Sequence, residues 1–138
     1  LAEDLAEAAA LAGITPERLC ALHTGADWRV AMFGFAPGFA YLSGCPDALA
    51  VPRRAAPRPP CPPGSVMIAA GQSLIAPTPM PTGWYVIGRT PLATFRPEAA
   101  DPFPLSVGDA VTFEPVDAAA FAALSRRAAA GEFVAAPA

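Results

Sequence analysis

Proline is the feature that most constrains the fold of this 138-residue chain, which contains eighteen prolines. Seven of them lie between residues 44 and 63, in a stretch that also holds three of the nine arginines. Because proline has no backbone N–H to donate to a strand ladder, this stretch cannot be a central strand. We expect a loop, stiffened by its prolines, that holds Arg53 and Arg58 in place at low entropic cost.

Helices are predicted at both ends of the chain, with short strands between them. Residues 1–12 carry Leu and Ala at helical spacing, Thr15 and Pro16 suit the start of a second helix, and Asp117 suits the cap of a last one over 118–130. Strands are predicted over residues 28–33, 65–69, 84–88, 92–95 and 110–113, with a second proline-rich loop over 76–82. This order predicts a mainly β domain, a small barrel or sandwich with flanking α-helices.

Charge and composition limit the partners that the chain can have. Only 15% of residues are charged, against about 25% in an average chain, which favours exposed apolar surface and an interface; the alternative is that alanine inflates the apolar count. A net charge of −3 without a basic stripe argues against nucleic acid. The absence of an apolar run of about 20 residues argues against a membrane span.

Sulfur and imidazole groups are few. The three cysteines form no CxxC pair and the chain has one histidine, so we predict no metal site and reduced thiols in the cytoplasm. The histidine, His23, sits at a predicted helix end. It is a candidate general base or orienting donor, and the alternative is a residue that satisfies free helix carbonyls.

Arginine and amide side chains supply the other candidates. Arg53, Arg54 and Arg58, with Arg89 at the end of a strand, could bind a carboxylate or phosphate; the alternative is a solvated loop with a charge that faces a partner. Gln72 could hold a polar substrate. Ser73 is a weak candidate nucleophile, because the sequence has no GxSxG elbow and offers only one histidine as base.

Five segments occur together in an order that is familiar from one protein family. They are GFAPGFAYL (34–42), VPRRAAPR (51–58), PPGSVMIAAGQS (62–73), GWYVIGRTPL (83–92) and VGDAVTF (107–113), preceded by Leu22-His23. Together they resemble the allophanate hydrolase subunit 1 / 5-oxoprolinase B-subunit family, which includes Kip-type inhibitors of a sporulation histidine kinase. The resemblance covers residues 3–116.

The resemblance implies a fold and a function. It implies a single cyclophilin-like, carboxyltransferase-type β-barrel domain over residues 1–138, without the family's N-terminal domain. It implies a subunit of an ATP-dependent 5-oxoprolinase or allophanate hydrolase that acts on a small cyclic or urea-like amide, inactive alone. The expected partner is a second subunit of the allophanate hydrolase subunit 2 / 5-oxoprolinase C-subunit type, with ATP used by the complex and no cofactor evident in this chain. The alternatives are a regulatory module that inhibits a histidine kinase and, less favoured, a prolyl isomerase.

The resemblance also implies a set of site residues. The predicted catalytic residues are His23, Arg53, Arg58 and Gln72, and the predicted substrate-binding residues are Pro37, Ser73 and Arg89. The family usually reads GGQTGIYP where this chain reads AGQSLIAP over residues 70–77. The loss of a glycine and a tyrosine from this segment predicts either a substrate that differs from the family norm or a degenerate site.

Overall fold

The computed structural model describes residues 1–136, so the last two residues of the predicted 1–138 domain lie outside the described residues. The helices are α1 (Leu5–Ala12), α2 (Pro16–Thr24) and α3 (Ala118–Ala129), with a short 3-10 helix at Asp47–Leu49. The strands are β1 (Trp28–Phe33), β2 (Ala40–Ser43), β3 (Arg58–Cys61), β4 (Ser65–Ala69), β5 (Gln72–Ile75), β6 (Met80–Thr82), β7 (Tyr85–Arg89) and β8 (Ala110–Val111). Within the described part of the chain, no helix is both long enough and apolar enough to cross a membrane.

Six of the strands form one antiparallel sheet, and the other two form a small second sheet. The order in the large sheet is β7-β4-β5-β2-β1-β8, and β3 pairs with β6. The predicted mainly β fold with flanking helices is confirmed. Among residues 1–136 the sheet does not close on itself, because β7 and β8 remain its two edges.

Each face of the large sheet has its own apolar core. In β4, Val66 and Ile68 face buried residues of α1 and α2. Met67 and Ala69, which point to the other face, pack with buried residues of β3 and β6. Every residue of β4 is buried, because alternate side chains of a strand enter cores on opposite faces.

The helix starts follow the predicted capping chemistry. Thr15 Oγ1 accepts a hydrogen bond from Arg18 N at 3.1 Å, and the next residue is the predicted Pro at the first helical position. At α3, Asp117 Oδ1 accepts from Ala120 N at 2.8 Å. These short-range bonds satisfy N–H groups that a helix leaves free in its first turn.

Strands occur in two stretches that were predicted to be loops. β3 lies inside the proline-rich stretch 44–63 and β6 inside 76–82. Their pairing joins Arg58 to Thr82 and Cys61 to Met80, with an irregular register between the two pairs. The prolines of β3 fall in that irregular part, where no ladder N–H is needed, so proline excluded a central strand but not this short one.

The strand predicted over residues 92–95 is wrong. This segment has no strand structure, and Leu92 N donates locally to Thr90 Oγ1. Thr94 packs instead against the loop at Gly38, where a Cβ would lie 2.7 Å from Thr94 O. The run Leu92-Ala93-Thr94-Phe95 predicts a strand, but among residues 1–136 this segment pairs with no sheet edge.

Candidate functional site

The end of α2 brings the histidine of the chain against the middle of β5. His23 Nε2 lies 2.9 Å from Ser73 Oγ, in a hydrogen bond that joins residues 50 positions apart. The imidazole packs against the rings of Trp28 and Phe113, at centroid distances of 5.0 and 4.7 Å. Both partners of the bond are shielded from solvent, since 4% of His23 and 0% of Ser73 is exposed.

Burial keeps this imidazole neutral. Desolvation lowers the pKa of His23 from 6.5 to about 4, and no carboxylate of residues 1–136 is close enough to form an ion pair with it. A serine nucleophile needs access to its substrate and an oriented base, and Ser73 has no exposed surface. The geometry therefore favours a structural hydrogen bond, in which His23 and Ser73 hold each other in place. The imidazole bonds to Ser73 rather than to the free carbonyls of its own helix.

Arg58 is held by two carboxylates from the start of the chain. Its Nη1 donates to Asp4 Oδ2 at 2.7 Å, and its Nη2 donates to Glu3. Asp4 also accepts from Val86 N at 2.8 Å, and Asp4 N donates to Val86 O at 2.9 Å. The side chains of Arg58 and Asp4 are only 13% and 12% exposed. An anionic substrate at Arg58 would first have to displace one of these carboxylates.

Arg54 extends the same network to α1. Its Nη1 donates to Glu7 at 2.9 Å and lies 3.7 Å from Asp4. Its guanidinium also lies over the ring of Tyr85, 4.9 Å from the centroid. We refer to the five charged residues of this network as the Asp4 cluster: Glu3, Asp4, Glu7, Arg54 and Arg58.

Arg53 and Gln72 lie outside these two contacts. Arg53 is exposed, with Nη2 3.7 Å from the point that a Cβ on Gly83 would occupy. Gln72 begins β5 directly after a two-residue turn and pairs with Ala69. Because neighbouring side chains of a strand point to opposite faces, Gln72 lies on the face opposite to Ser73 and the imidazole.

Pro37 lies in an exposed apolar groove of about 700 Å³. Phe35, two residues earlier, is 80% exposed and has a φ of 70°. A left-handed conformation at a residue with a Cβ costs about 1–2 kcal/mol, so the loop presents this ring to solvent at an energetic cost. The groove is the exposed apolar surface that the low charge content predicts. Its lining residues are Phe33, Gly34, Phe35, Ala36, Pro37, Gly38, Phe103, Leu105, Ser106 and Val107.

Arg89 lies at the end of β7, away from the Asp4 cluster. Its Nε donates to Pro63 O at 3.3 Å. Unlike Arg54 and Arg58, it has no carboxylate partner among residues 1–136. It is therefore the predicted binding arginine whose charge is half-buried and uncompensated.

The structure brings the seven predicted site residues to several separate places. Within the described residues, the one direct hydrogen bond among the seven joins His23 and Ser73, and their roles remain predictions. Sequence reasoning missed Asp4, and it considered Arg54 as a binding arginine but did not include it in the predicted site. Three acids at positions 3, 4 and 7 face arginines about fifty residues later, but opposite charge alone does not predict that contact. No group of three or more His, Cys, Asp or Glu residues in the described part of the chain could hold a metal ion.

Comparison with known proteins places these residues in context. The family of carboxyltransferase domains, subdomain C and D, matches residues 1–105, a range that contains all seven predicted site residues. The chain is 46% identical over 110 residues to the 5-oxoprolinase B-subunit of Bacillus subtilis strain 168, a match that covers 80% of this chain and 46% of that protein. It is 42% identical over 112 residues to the 5-oxoprolinase B-subunit of Escherichia coli O157:H7, covering 81% of this chain and 51% of that protein.

A solved structure has the same fold. The crystal structure of the conserved uncharacterized protein PH0987 from Pyrococcus horikoshii superposes with a TM-score of 0.80 at 39% identity, covering 86% of this chain and 55% of that one. The chain thus spans about half the length of the curated relatives that it matches.

Proposed function

The chain belongs to the family of carboxyltransferase domains, subdomain C and D, and on that basis we propose that it is part of a subunit of a 5-oxoprolinase or allophanate hydrolase type complex. The observation that carries the proposal is the 46% identity to a 5-oxoprolinase B-subunit over 110 residues. The complex would use ATP to hydrolyse a small cyclic or urea-like amide in the cytoplasm. The domain would be a single cyclophilin-like unit of a longer family architecture.

The contacts of the predicted site residues favour a chain that is inactive alone. The Ser73 hydroxyl is buried against a neutral imidazole, and Arg58 is already paired with Glu3 and Asp4. Neither group can act on a substrate without rearrangement. We propose that this chain supplies a rigid scaffold and binding groups, and that the second subunit supplies the rest of the reacting site.

Reconstitution tests this function. The chain alone should not hydrolyse 5-oxoproline, whereas the complex with its partner subunits should form glutamate only when ATP is present. Glutamate and ADP released per minute are the measured quantities, with urea and allophanate as alternative substrates. If the complete complex turns over none of the three with ATP, the proposal is wrong. Inhibition of histidine kinase autophosphorylation by the same inactive preparation would support the regulatory alternative instead.

The groove at Phe35 is the surface that we propose for the second subunit, of the allophanate hydrolase subunit 2 / 5-oxoprolinase C-subunit type. In the described part of the chain, no charged residue lines the groove, and interface cores are depleted of charge and enriched in aromatic residues. The ring of Phe35, which is 80% exposed, is suited to insert into an apolar pocket of the partner. The relatives named as B-subunits imply assemblies with other subunits, which would need such a surface.

Replacement of Phe35 by alanine should weaken the complex with this second subunit by about 30-fold, since truncation of a central aromatic anchor costs about 2 kcal/mol or more. The melting temperature of the free chain should change little, because the ring is 80% exposed. Leu11→Ala is the matched control, since Leu11 is a 51% exposed apolar residue on α1. Calorimetry measures the dissociation constant of the complex for wild type and for both variants. Equal affinities for the two variants would exclude the groove as this interface.

A further inference from the structure

A second cavity lies between the end of the large sheet and α3, apart from the groove at Phe35. Its volume is about 540 Å³. The loop at Gly64 and the segment after β7 form its floor, while Phe121, Ser125 and Ala128 of α3 form one wall. The loop at Gly64 and the segment after β7 are in close contact. Thr90 N donates to Gly64 O at 2.8 Å, and a Cβ on Gly64 would collide with Thr90 O.

Among residues 1–136, Arg89 is the only charged residue that lines this cavity. The bond from its Nε to Pro63 O fixes the side chain, and within the described part of the chain its two terminal amino groups have no hydrogen-bond partner. It also borders a neighbouring cavity that contains Glu114 and Asp117, but neither forms an ion pair with it. A fixed guanidinium with two free amino groups matches the geometry of one carboxylate.

Thr94 supplies an independent sign of a missing partner. This residue lines the cavity and is 1% exposed. Its hydroxyl is shut off from solvent and has no hydrogen-bond partner among residues 1–136. A buried hydroxyl without a partner costs about 1–3 kcal/mol. Since the hydroxyl has no exposed surface, a ligand in the cavity can reach it only if the Thr94 side chain turns toward the cavity.

We propose that this cavity binds a small molecule by its carboxylate, with Arg89 as the carboxylate-binding residue. The rest of the ligand would lie against Pro77, Leu92 and Phe121, which give the cavity an apolar side. A compact ring with one carboxylate fits these two requirements. The choice of 5-oxoproline as the first probe rests on the proposed function, whereas the site itself rests on the cavity and on the unpaired guanidinium of Arg89.

Binding to the free 138-residue chain tests the site separately from catalysis. Titration with L-5-oxoproline, followed by amide NMR shifts, should perturb Thr90, Thr94 and Ser125. The same ring without a carboxylate, 2-pyrrolidone, should bind at least tenfold more weakly, because it offers no charge-assisted bond to Arg89. Arg89→Gln should weaken 5-oxoproline to a similar degree. Titration with inorganic phosphate tests whether the site prefers a phosphate to a carboxylate. Tighter binding of phosphate than of 5-oxoproline would overturn the carboxylate assignment.

Two pairs of variants guard against loss of folding. Arg126→Gln is the control for Arg89→Gln, since it removes an exposed arginine of α3 and should leave binding unchanged. Ala128→Trp should block the cavity, whereas Ala130→Trp, at an exposed position, should not. Equal binding by wild type, Arg89→Gln and Ala128→Trp would overturn the site. If the complex hydrolyses 5-oxoproline but Arg89→Gln leaves its KM unchanged, the site is wrong and the proposed function stands. If Arg89→Gln weakens binding to the free chain but the complete complex has no activity, the carboxylate site stands and the proposed function is wrong.

Discussion

Replacement of Asp4 by alanine should lower the free energy of unfolding by about 3 kcal/mol. Asp4 accepts hydrogen bonds from Arg58 Nη1 and Val86 N, and it lies 3.7 Å from Arg54. Its side chain is 12% exposed and that of Arg58 is 13% exposed. Loss of one partner from a largely buried ion pair leaves an uncompensated charge in a poorly solvated place, which costs about 3–5 kcal/mol. The lower end applies because Glu3 still pairs with Arg58.

A surface ion pair in the same chain is the matched control. Glu132 accepts from Arg127 Nε at 2.8 Å, but both side chains are about half exposed, so Glu132→Ala should cost less than about 1 kcal/mol. Urea denaturation of both variants measures the difference. The double variant Asp4→Ala/Arg58→Met should lose less than the sum of its two single changes, since the two residues share one contact. Additive losses would show that Asp4 and Arg58 do not stabilise each other, and equal costs for Asp4 and Glu132 would show that the Asp4 cluster contributes no more than a surface ion pair.

The Asp4 cluster changes how the proline-rich loop is interpreted. The sequence predicts a stiff loop that holds arginines in place, and the structure contains two fixed arginines there. What fixes Arg54 and Arg58, however, is a set of carboxylates from the first seven residues. The loop is thereby tied to the helical face of the domain. Of the arginines predicted for the site, Arg53 and Arg89 form no ion pair among residues 1–136, and Arg89 is the one that lines a cavity.

Local chemistry made some elements predictable, and long-range pairing made others unpredictable. The caps at Thr15 and Asp117 need only residues within three positions, and both were predicted. The pairing of β3 with β6 joins Arg58 to Thr82, and no local pattern encodes which distant segment supplies a partner. The segment at Thr94 shows the opposite error, since residues 92–95 were predicted as a strand but pair with no sheet edge among residues 1–136.

The candidate site has the same division. His23 entered the predicted site through the family resemblance, and helix α2 was predicted with it. The position of Ser73 opposite the imidazole depends on how α2 packs on β5, across 50 residues of sequence. Gln72, the neighbour of that serine, points to the other face for the same reason that Ser73 points inward. Residue type identified the candidates, and packing decided which of them meet.

Buried His23 should make the stability of the domain fall as the pH is lowered from 6.5 to 4. Desolvation lowers the pKa of His23 from 6.5 to about 4 in the folded chain, whereas the unfolded chain exposes it. Between these values the unfolded state binds a proton that the folded state excludes, so acid favours unfolding. The contribution is fully present above pH 6.5 and lost as the pH falls to 4. The difference between the pKa of His23 in the unfolded chain and in the folded chain corresponds to about 3 kcal/mol of folding stability.

Urea denaturation of wild type and His23→Gln at pH values between 7.5 and 4.5 measures this contribution. Glutamine can still bond to Ser73 Oγ but cannot titrate. Both proteins carry the same carboxylates, so the pH dependence that these carboxylates cause is the same in both. The wild type should lose about 2–3 kcal/mol more than His23→Gln over this range, even if the variant is less stable throughout. Ser73→Ala should keep the pH dependence, because burial rather than the serine lowers the pKa of His23. Parallel curves for wild type and His23→Gln would show that the imidazole is not held neutral in the core.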